Sequence, residues 1–501
     1  MLGKLKHLLK HSVIYGISPI ATKAIGVILL PLYTSYISLA EFGVLGLIDI
    51  TIYISIELLN LGLSQALVML NNSDEYSSQN KSIFFTIFST SSMICLLFIA
   101  IAEFMLPVVS QWFSDPARYH LLLQLSIYVI VLRILNNVLL NKLRADENSI
   151  TYTALSLSKV VLVLGFAIFF VAFKGMQIEG VLYAYIISEG AVLIVLFPLS
   201  IKNMEFHFSK KILGAAAKFG VPLILSAIAM LLLNLSDRYI IGYFLGKESV
   251  GLYDLGYRVA GVLNMFVIVP FSMTLMPIAY KMYNTEGDKR YYSKIMTYFA
   301  FALVWIGLGL SLFSKEIIKI FALNTSYWPA FQVIPIVTLA YVFYGLRIVS
   351  DLGMYLTKNT KPVAIMTVGT AALNIILNII LIPLFGMIIA AYTTLFTFGL
   401  LYVISYYFSG RYYPIPYEIR KVLTIVILGA LLYSVILLIN ESAFVIRLLI
   451  KGLILIIFPF ALYILKFYEP IELSRLKEYF HKWTSPSGLK NIKNDIINFM
   501  K

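Results

Sequence analysis

TYTALSLSKVVLVLGFAIFFVAF, residues 151–173, runs for 23 residues with one charge, Lys159. At 1.5 Å per residue such a helix crosses the ~30 Å hydrocarbon core of a bilayer. Lipid offers no partner to a backbone N–H or C=O, so an apolar run of this length is read as a spanning helix. The pattern repeats in both directions from there. Fourteen spans are predicted, at roughly 12–36, 43–66, 82–104, 119–140, 151–173, 179–201, 219–243, 250–280, 292–313, 331–355, 362–382, 384–409, 419–439 and 445–468. The eighth is long enough to contain a kink, with Pro270 and Pro277 in its second half. The eleventh and twelfth are divided only at Pro383 and Gly386. Composition agrees: 60% of residues are hydrophobic and 13% charged, against about 45–50% and about 25% in soluble domains. A water-soluble domain and a disordered chain are both excluded. The single cysteine, Cys95, excludes a disulfide framework and a cysteine-based metal site.

The formal charge of +14 is a topology signal rather than a nucleic-acid footprint. With the N-terminus placed in the cytoplasm, and with Lys294, Arg420, Lys421, Arg447, Lys451 and Lys466 near span ends counted with the adjoining loops, cytoplasmic segments hold 26 Lys/Arg, external ones 7, and spans the remaining 6. Both termini are then cytoplasmic. The first span is too long for a signal-peptide core and is expected to be retained. Within 471–483 (IELSRLKEYFHKW), Ile471, Leu473, Leu476, Phe480 and Trp483 alternate with Arg475, Lys477 and Lys482, the pattern of an interfacial amphipathic helix or of a weakly ordered basic tail. An internal repeat is visible. YISLAEFGVLGL from Tyr36 and YFLGKESVGLYDL from Tyr243 each end a helix at Tyr, place Glu41 or Glu248 in the turn, and open the next helix with Gly43 or Gly251. Helices one and two thus correspond to seven and eight, and a period of six helices keeps orientation. The expected fold is an all-α integral membrane protein of two parallel six-helix lobes, 1–201 and 202–409. Two further helices (410–468) and a basic tail (469–501) follow.

Ionisable groups inside spans are costly and mark function by default. They are Lys23, Asp49, Glu57, Arg133, Lys159, Glu189, Asp237, Arg238, Asp254, Arg258, Arg347 and Asp351. Counted at 1.5 Å per residue from the external end, Lys23, Arg133 and Lys159 lie at about 20 Å, Arg347 at about 24 Å, Glu57 at about 21 Å and Glu189 at about 15 Å. Cations therefore outnumber acids at mid-membrane. Arg133 and Lys159 have no acid of like depth on their own two helices, and call for a wet cavity with an anionic guest. Arg258 with Asp254, and Arg347 with Asp351, stand at i,i+4 spacing and suit intrahelical pairs. Lys23 and Glu57 match in depth. Arg238 is five residues from its helix end and within snorkelling reach. Pro19, between Gly16 and Gly26, bends helix one beside Lys23 and suits a gate. No GxxxxGK[ST] loop and no HExxH pair occurs, so neither ATP hydrolysis nor zinc chemistry is expected, no cofactor is indicated, and the chain is read as a transporter rather than an enzyme.

These segments carry a family resemblance. PLYTSYISLAEFGVLGL (Pro31–Leu47), LGLSQAL (Leu61–Leu67) and SDRYIIGYFLGKESVGLYDLGYRV (Ser236–Val259) are similar to the Wzx-type polysaccharide flippases of the multidrug/oligosaccharidyl-lipid/polysaccharide (MOP) exporter superfamily. The resemblance implies alternating access that turns an undecaprenyl-diphosphate-linked oligosaccharide from the cytoplasmic to the external leaflet of a bacterial plasma membrane. It implies a cationic cavity, a role carried by type and position onto Lys23, Arg133, Lys159, Arg258 and Arg347. Glu57, Glu189, Asp49 and Pro19 are candidates for coupling or gating. Membrane lipids, a polysaccharide polymerase and chain-length proteins are the partners implied; nucleic acid is not. Two alternatives stand beside this reading. A lipid II flippase would carry a longer signature where helix two closes with LGLSQAL, and a cation-coupled multidrug antiporter would want unpaired acids at mid-depth.

Overall fold

The computed structural model describes residues 21, 24–113, 115–201, 204–437 and 444–474. Lys23, Pro19 and most of the basic tail lie outside the described residues. Among those described, thirteen helices are long and apolar enough to cross a membrane, and they coincide with the second to fourteenth predicted spans. The helices are α1 (Leu30–Tyr36), α2 (Leu39–Asn60), α3 (Leu63–Asn71), α4 (Asn80–Ser110), α5 (Pro116–Ala145), α6 (Ser149–Ala167), α7 (Ile178–Ile201), α8 (Lys210–Leu245) and α9 (Lys247–Leu263). They continue as α10 (Val269–Met282), α11 (Asp288–Leu312), α12 (Ser314–Phe321), α13 (Val333–Ser350), α14 (Leu352–Leu356), α15 (Lys361–Phe385), α16 (Ile388–Tyr412), α17 (Ile419–Leu437) and α18 (Phe444–Ile464).

Among the described residues, the second and eighth spans are two that depart from straight helices. The second breaks at Leu61 and Gly62, both left-handed with φ of 48° and 67°, so LGLSQAL is a helix interruption and not a helix end. Gly62 abuts Gly220 of α8 so closely that a Cβ on it would lie 2.5 Å from the Gly220 Cα. The eighth span widens into a π turn at Asn264–Ile268, where the Val269 N–H reaches back to the Asn264 carbonyl. The break falls ahead of Pro270, which has no N–H to donate. The expected division at Gly386 is present, with φ of 77° between α15 and α16.

Helices α2 to α7 pack on one another, and α9, α11, α13, α15 and α16 form a second packed set. Between them α8 touches both, and the main seam runs α2 along α9. At that seam a Cβ on Gly43 would lie 1.9 Å from the Lys247 carbonyl oxygen, and one on Gly251 2.4 Å from that of Leu39. Tyr327 donates to the Ile37 carbonyl at 2.8 Å and Thr34 to that of Phe321 at 2.5 Å, closing the same end. That end lies opposite the Lys/Arg-rich loops, and toward the basic end α10 packs on α14. Helices α17 and α18 lie against α11. Glu316 on α12 holds α18 through Arg447 at 3.2 Å and the buried Lys451 at 2.6 Å.

Candidate functional site

The seam leaves a cavity of about 460 Å³ between the two sets. Its polar lining is assembled at i,i+4 spacing, the spacing that stacks side chains on one helix face. Asp49, Tyr53 and Glu57 come from α2, Arg133 and Asn137 from α5, Lys159 from α6, Tyr185 and Glu189 from α7, and Asp254 and Arg258 from α9. Asn264, in the π turn, completes the wall. Small residues let charge in close: Gly46 faces the Asp254 carboxylate, 3.1 Å from where its Cβ would sit, and Gly26 faces the Arg258 guanidinium.

Two ionic groups face each other across this space. In the first, one Glu189 oxygen stands 3.3 Å from Arg133 Nε and 3.4 Å from Lys159 Nζ. Its other oxygen accepts from Asn136 Nδ2 at 2.8 Å, and the Arg133 guanidinium lies 4.6 Å over the Tyr185 ring. In the second, Arg258 binds Asp254 at 2.6 Å and reaches across the seam to Asp49 at 3.0 Å. Asp254 also meets Arg238 at 3.4 Å, Arg238 meets Asp237 at 2.8 Å, and Tyr253 donates to Asp237 at 2.5 Å.

Several sequence expectations need correction against this geometry. Arg133 and Lys159 are not unpaired: the acid comes from a third helix, α7, which packs on both of theirs. Arg347 stands apart from the cavity, buried on α13 with Asp351 at 3.0 Å and Thr367 at 3.2 Å. The intrahelical pairing expected for it is present. Arg238 does not snorkel outward, being 2% exposed and 3.8 Å from the Tyr257 ring centroid. Among the described residues the lining is also not cationic in balance. Its described residues include three cations, Arg133, Lys159 and Arg258, and four carboxylates, Asp49, Glu57, Glu189 and Asp254. Each cation already has a carboxylate partner. Tyr53, Asn137 and Tyr185 were not singled out in the sequence, yet each lies four residues from a lining charge, and that spacing was the available signal.

Comparison with known proteins follows the same lines. The family model described as "Polysaccharide biosynthesis protein" matches residues 36–331. An uncharacterized membrane protein of Methanocaldococcus jannaschii is 24% identical over 261 residues, 50% of this chain and 48% of that one. The probable low-salt glycan biosynthesis flippase Agl15 of Haloferax volcanii is 23% identical over 262 residues, 51% of this chain and 54% of that one. The chain thus spans about half the length of the curated relatives it matches. Among solved structures, the lipid II flippase MurJ in an inward closed conformation superposes with a TM-score of 0.71 at 19% identity, covering 91% of this chain and 99% of that one. An inward-facing multidrug resistance MATE family transporter of the MOP superfamily gives 0.65 at 13%, covering 79% and 97%. At these identities the likeness to solved structures is one of fold. With the family model matching more than half of its residues, the chain belongs to the polysaccharide biosynthesis protein family, built on the multi-pass helical fold of MOP-superfamily transporters.

Proposed function

We propose that this protein is a flippase for a polyprenyl-diphosphate-linked oligosaccharide, working by alternating access with its basic loops in the cytoplasm. One observation carries the reading: three cations, Arg133, Lys159 and Arg258, converge from three helices on one cavity at the seam. An unaided diphosphate does not cross hydrocarbon, because an isolated buried charge costs tens of kcal/mol by Born estimates. Arg and Lys side chains replace water as its counter-charge, and Arg adds a planar fork matched to phosphate oxygens. Tyr53, Asn137, Tyr185 and Asn264 supply hydroxyl, amide and ring surfaces of the kind sugars require. The glycan flippase among the relatives and the family match support this substrate class.

The test is surface-glycan export in a strain depending on this protein, measured beside its membrane abundance. Arg133→Ala should reduce export at least tenfold with abundance near normal, because Glu189 keeps Lys159 and Asn136. Arg133→Lys should retain part of the activity. Normal export by Arg133→Ala at normal abundance refutes the assignment. Accumulation of lipid II on depletion would point to the peptidoglycan precursor. Resistance to cationic drugs, lost in Glu57→Gln, would point to an antiporter.

A further inference from the structure

We infer that Glu189 is an internal stand-in for the substrate's anionic group: it occupies the Arg133–Lys159 seat, and a diphosphate binds there by displacing it. The inference rests on the anionic-guest reading above and adds the device that limits how tightly such a guest is held.

Glu189 is 3% exposed and its carboxylate meets only donors. Arg133 and Asn136 approach from α5 and Lys159 from α6, while Tyr185 sits one turn away on α7. Across the same cavity α2 presents Asp49, Tyr53 and Glu57. Two properties suit this arrangement to exchange with a guest. The first is length. Charge-assisted N–H···O⁻ contacts settle at about 2.7–2.9 Å, as Lys451 does with Glu316 at 2.6 Å. Glu189 instead divides one oxygen between two cations at 3.3 and 3.4 Å. With its other oxygen on Asn136, the carboxylate leaves both cations beyond the usual charge-assisted distance, whereas a diphosphate has an oxygen for each. The second is a resting place. Asn136 holds the other Glu189 oxygen at 2.8 Å and also donates to the Glu189 backbone carbonyl at 2.9 Å. The carboxylate therefore keeps partners when its cations turn to a guest. Arg133, Lys159 and Glu189 all face the cavity, so the exchange needs no helix to open.

Transport gains from this competition. An anion bound by two free buried cations would be slow to leave, and a resident carboxylate returning to them favours release. Removing the Glu189 charge should tighten binding and slow turnover together, lowering both KM and kcat.

The experiment uses the purified full chain with inorganic pyrophosphate and with farnesyl diphosphate as probes. Glu189→Gln should bind at least about tenfold tighter than the parent, since a like charge beside the guest has been removed. Tightening for both probes places recognition in the phosphates. Tightening for farnesyl diphosphate alone requires the phosphates to arrive on a lipid, and equally supports the displacement. If Glu189→Gln lowers thermal stability, pyrophosphate should restore the parent's Tm. A carboxylate with a purely structural role predicts a loss that pyrophosphate leaves in place. Unchanged or weaker binding by Glu189→Gln, with Arg133→Gln and Lys159→Gln binding less tightly than the parent, overturns the stand-in and keeps the anionic-guest reading. Parental binding by Arg133→Gln and Lys159→Gln overturns that reading, and the stand-in with it.

Discussion

Alanine at Gly43 should drive the α2–α9 seam apart at the end opposite the basic loops. Its Cβ would fall 1.9 Å from the Lys247 carbonyl oxygen and 3.0 Å from the Gly251 nitrogen, where 3.4 Å begins ordinary contact. Both obstructing atoms are backbone and cannot swing aside, so the helices must part by about 1.5 Å locally. Overpacking of this kind costs about 1–3 kcal/mol, or about 5- to 150-fold in a conformational equilibrium. The substitution also favours the helix itself by up to about 1 kcal/mol, so any shift toward opening reports the clash and not a weakened helix. The contacts nearest the crossing, Tyr327 to Ile37, Thr34 to Phe321 and the Phe42–Tyr327 edge at 5.7 Å, would be strained with it. The assay places one cysteine at Tyr53, in the cavity wall, in a Cys95→Ala background. An impermeant maleimide is added from the side opposite the basic loops. Labelling of Gly43→Ala and of Gly251→Ala should rise within that range, while Gly369→Ala, where a Cβ meets nothing within 4 Å, should label as the parent does. Parental labelling rates for both seam variants, at normal abundance, would refute the clasp.

Three further outcomes are expected. Arg258→Met should lower membrane abundance sharply, because Asp49 and Asp254 lose their shared partner and a broken buried pair costs about 3–5 kcal/mol; adding Asp49→Asn should recover part of it, read by fluorescence-detected gel filtration. The hydrogen bond from Lys294 holds the Glu469 carboxyl below the ordinary Glu value. A depressed carboxyl stabilises above the unfolded pKa, near about 4.3, and its contribution is lost as pH falls through the lower folded value. Hydrogen-exchange protection across residues 465–474, corrected for the intrinsic pH dependence of amide exchange, should therefore stay constant from neutral pH down to that region and fall below it. Cysteines at Lys247 and Lys289 should label from opposite sides of the membrane, and labelling from one side would overturn the assigned topology.

How much of this was written in the sequence differs by feature. Spans were legible because burying backbone in lipid imposes a length and a composition that local counting detects. The break at Leu61–Gly62 was not, since its cause is the close approach of Gly220, some 160 residues on. The Gly43–Gly251 correspondence was legible as a repeat. The structure adds that the two meet reciprocally: each faces the carbonyl of the residue four positions before the other, Lys247 or Leu39. Depth along a helix is one coordinate of three. It picked out Arg133 and Lys159 with Arg347, though Arg347 belongs to another part of the bundle. Glu189 was counted among the mid-membrane acids but passed over as a partner because it stands on a third helix, and which helices adjoin is not given by depth.

The charge balance of the cavity constrains mechanism more than the count of cations does. Three cations free at mid-membrane would be expensive to maintain and would hold a polyanion too firmly to release it. Here Arg133 and Lys159 share Glu189, while Arg258 is held by Asp254 and Asp49. An anionic guest entering such a site replaces one set of partners by another, so both the loaded and unloaded cavity keep their charges compensated. The two carboxylates differ in position. Glu189 pairs within the first helix set, whereas Asp49 pairs across the seam to α9. A guest that draws Arg133 and Lys159 from Glu189 changes occupancy alone, but one that draws Arg258 from Asp49 also removes an ionic contact holding the two sets together. On the proposed reading, binding at the first group and loosening at the second are separable steps. Asp49→Asn should therefore raise Tyr53 labelling without added anion, and Glu189→Gln should not.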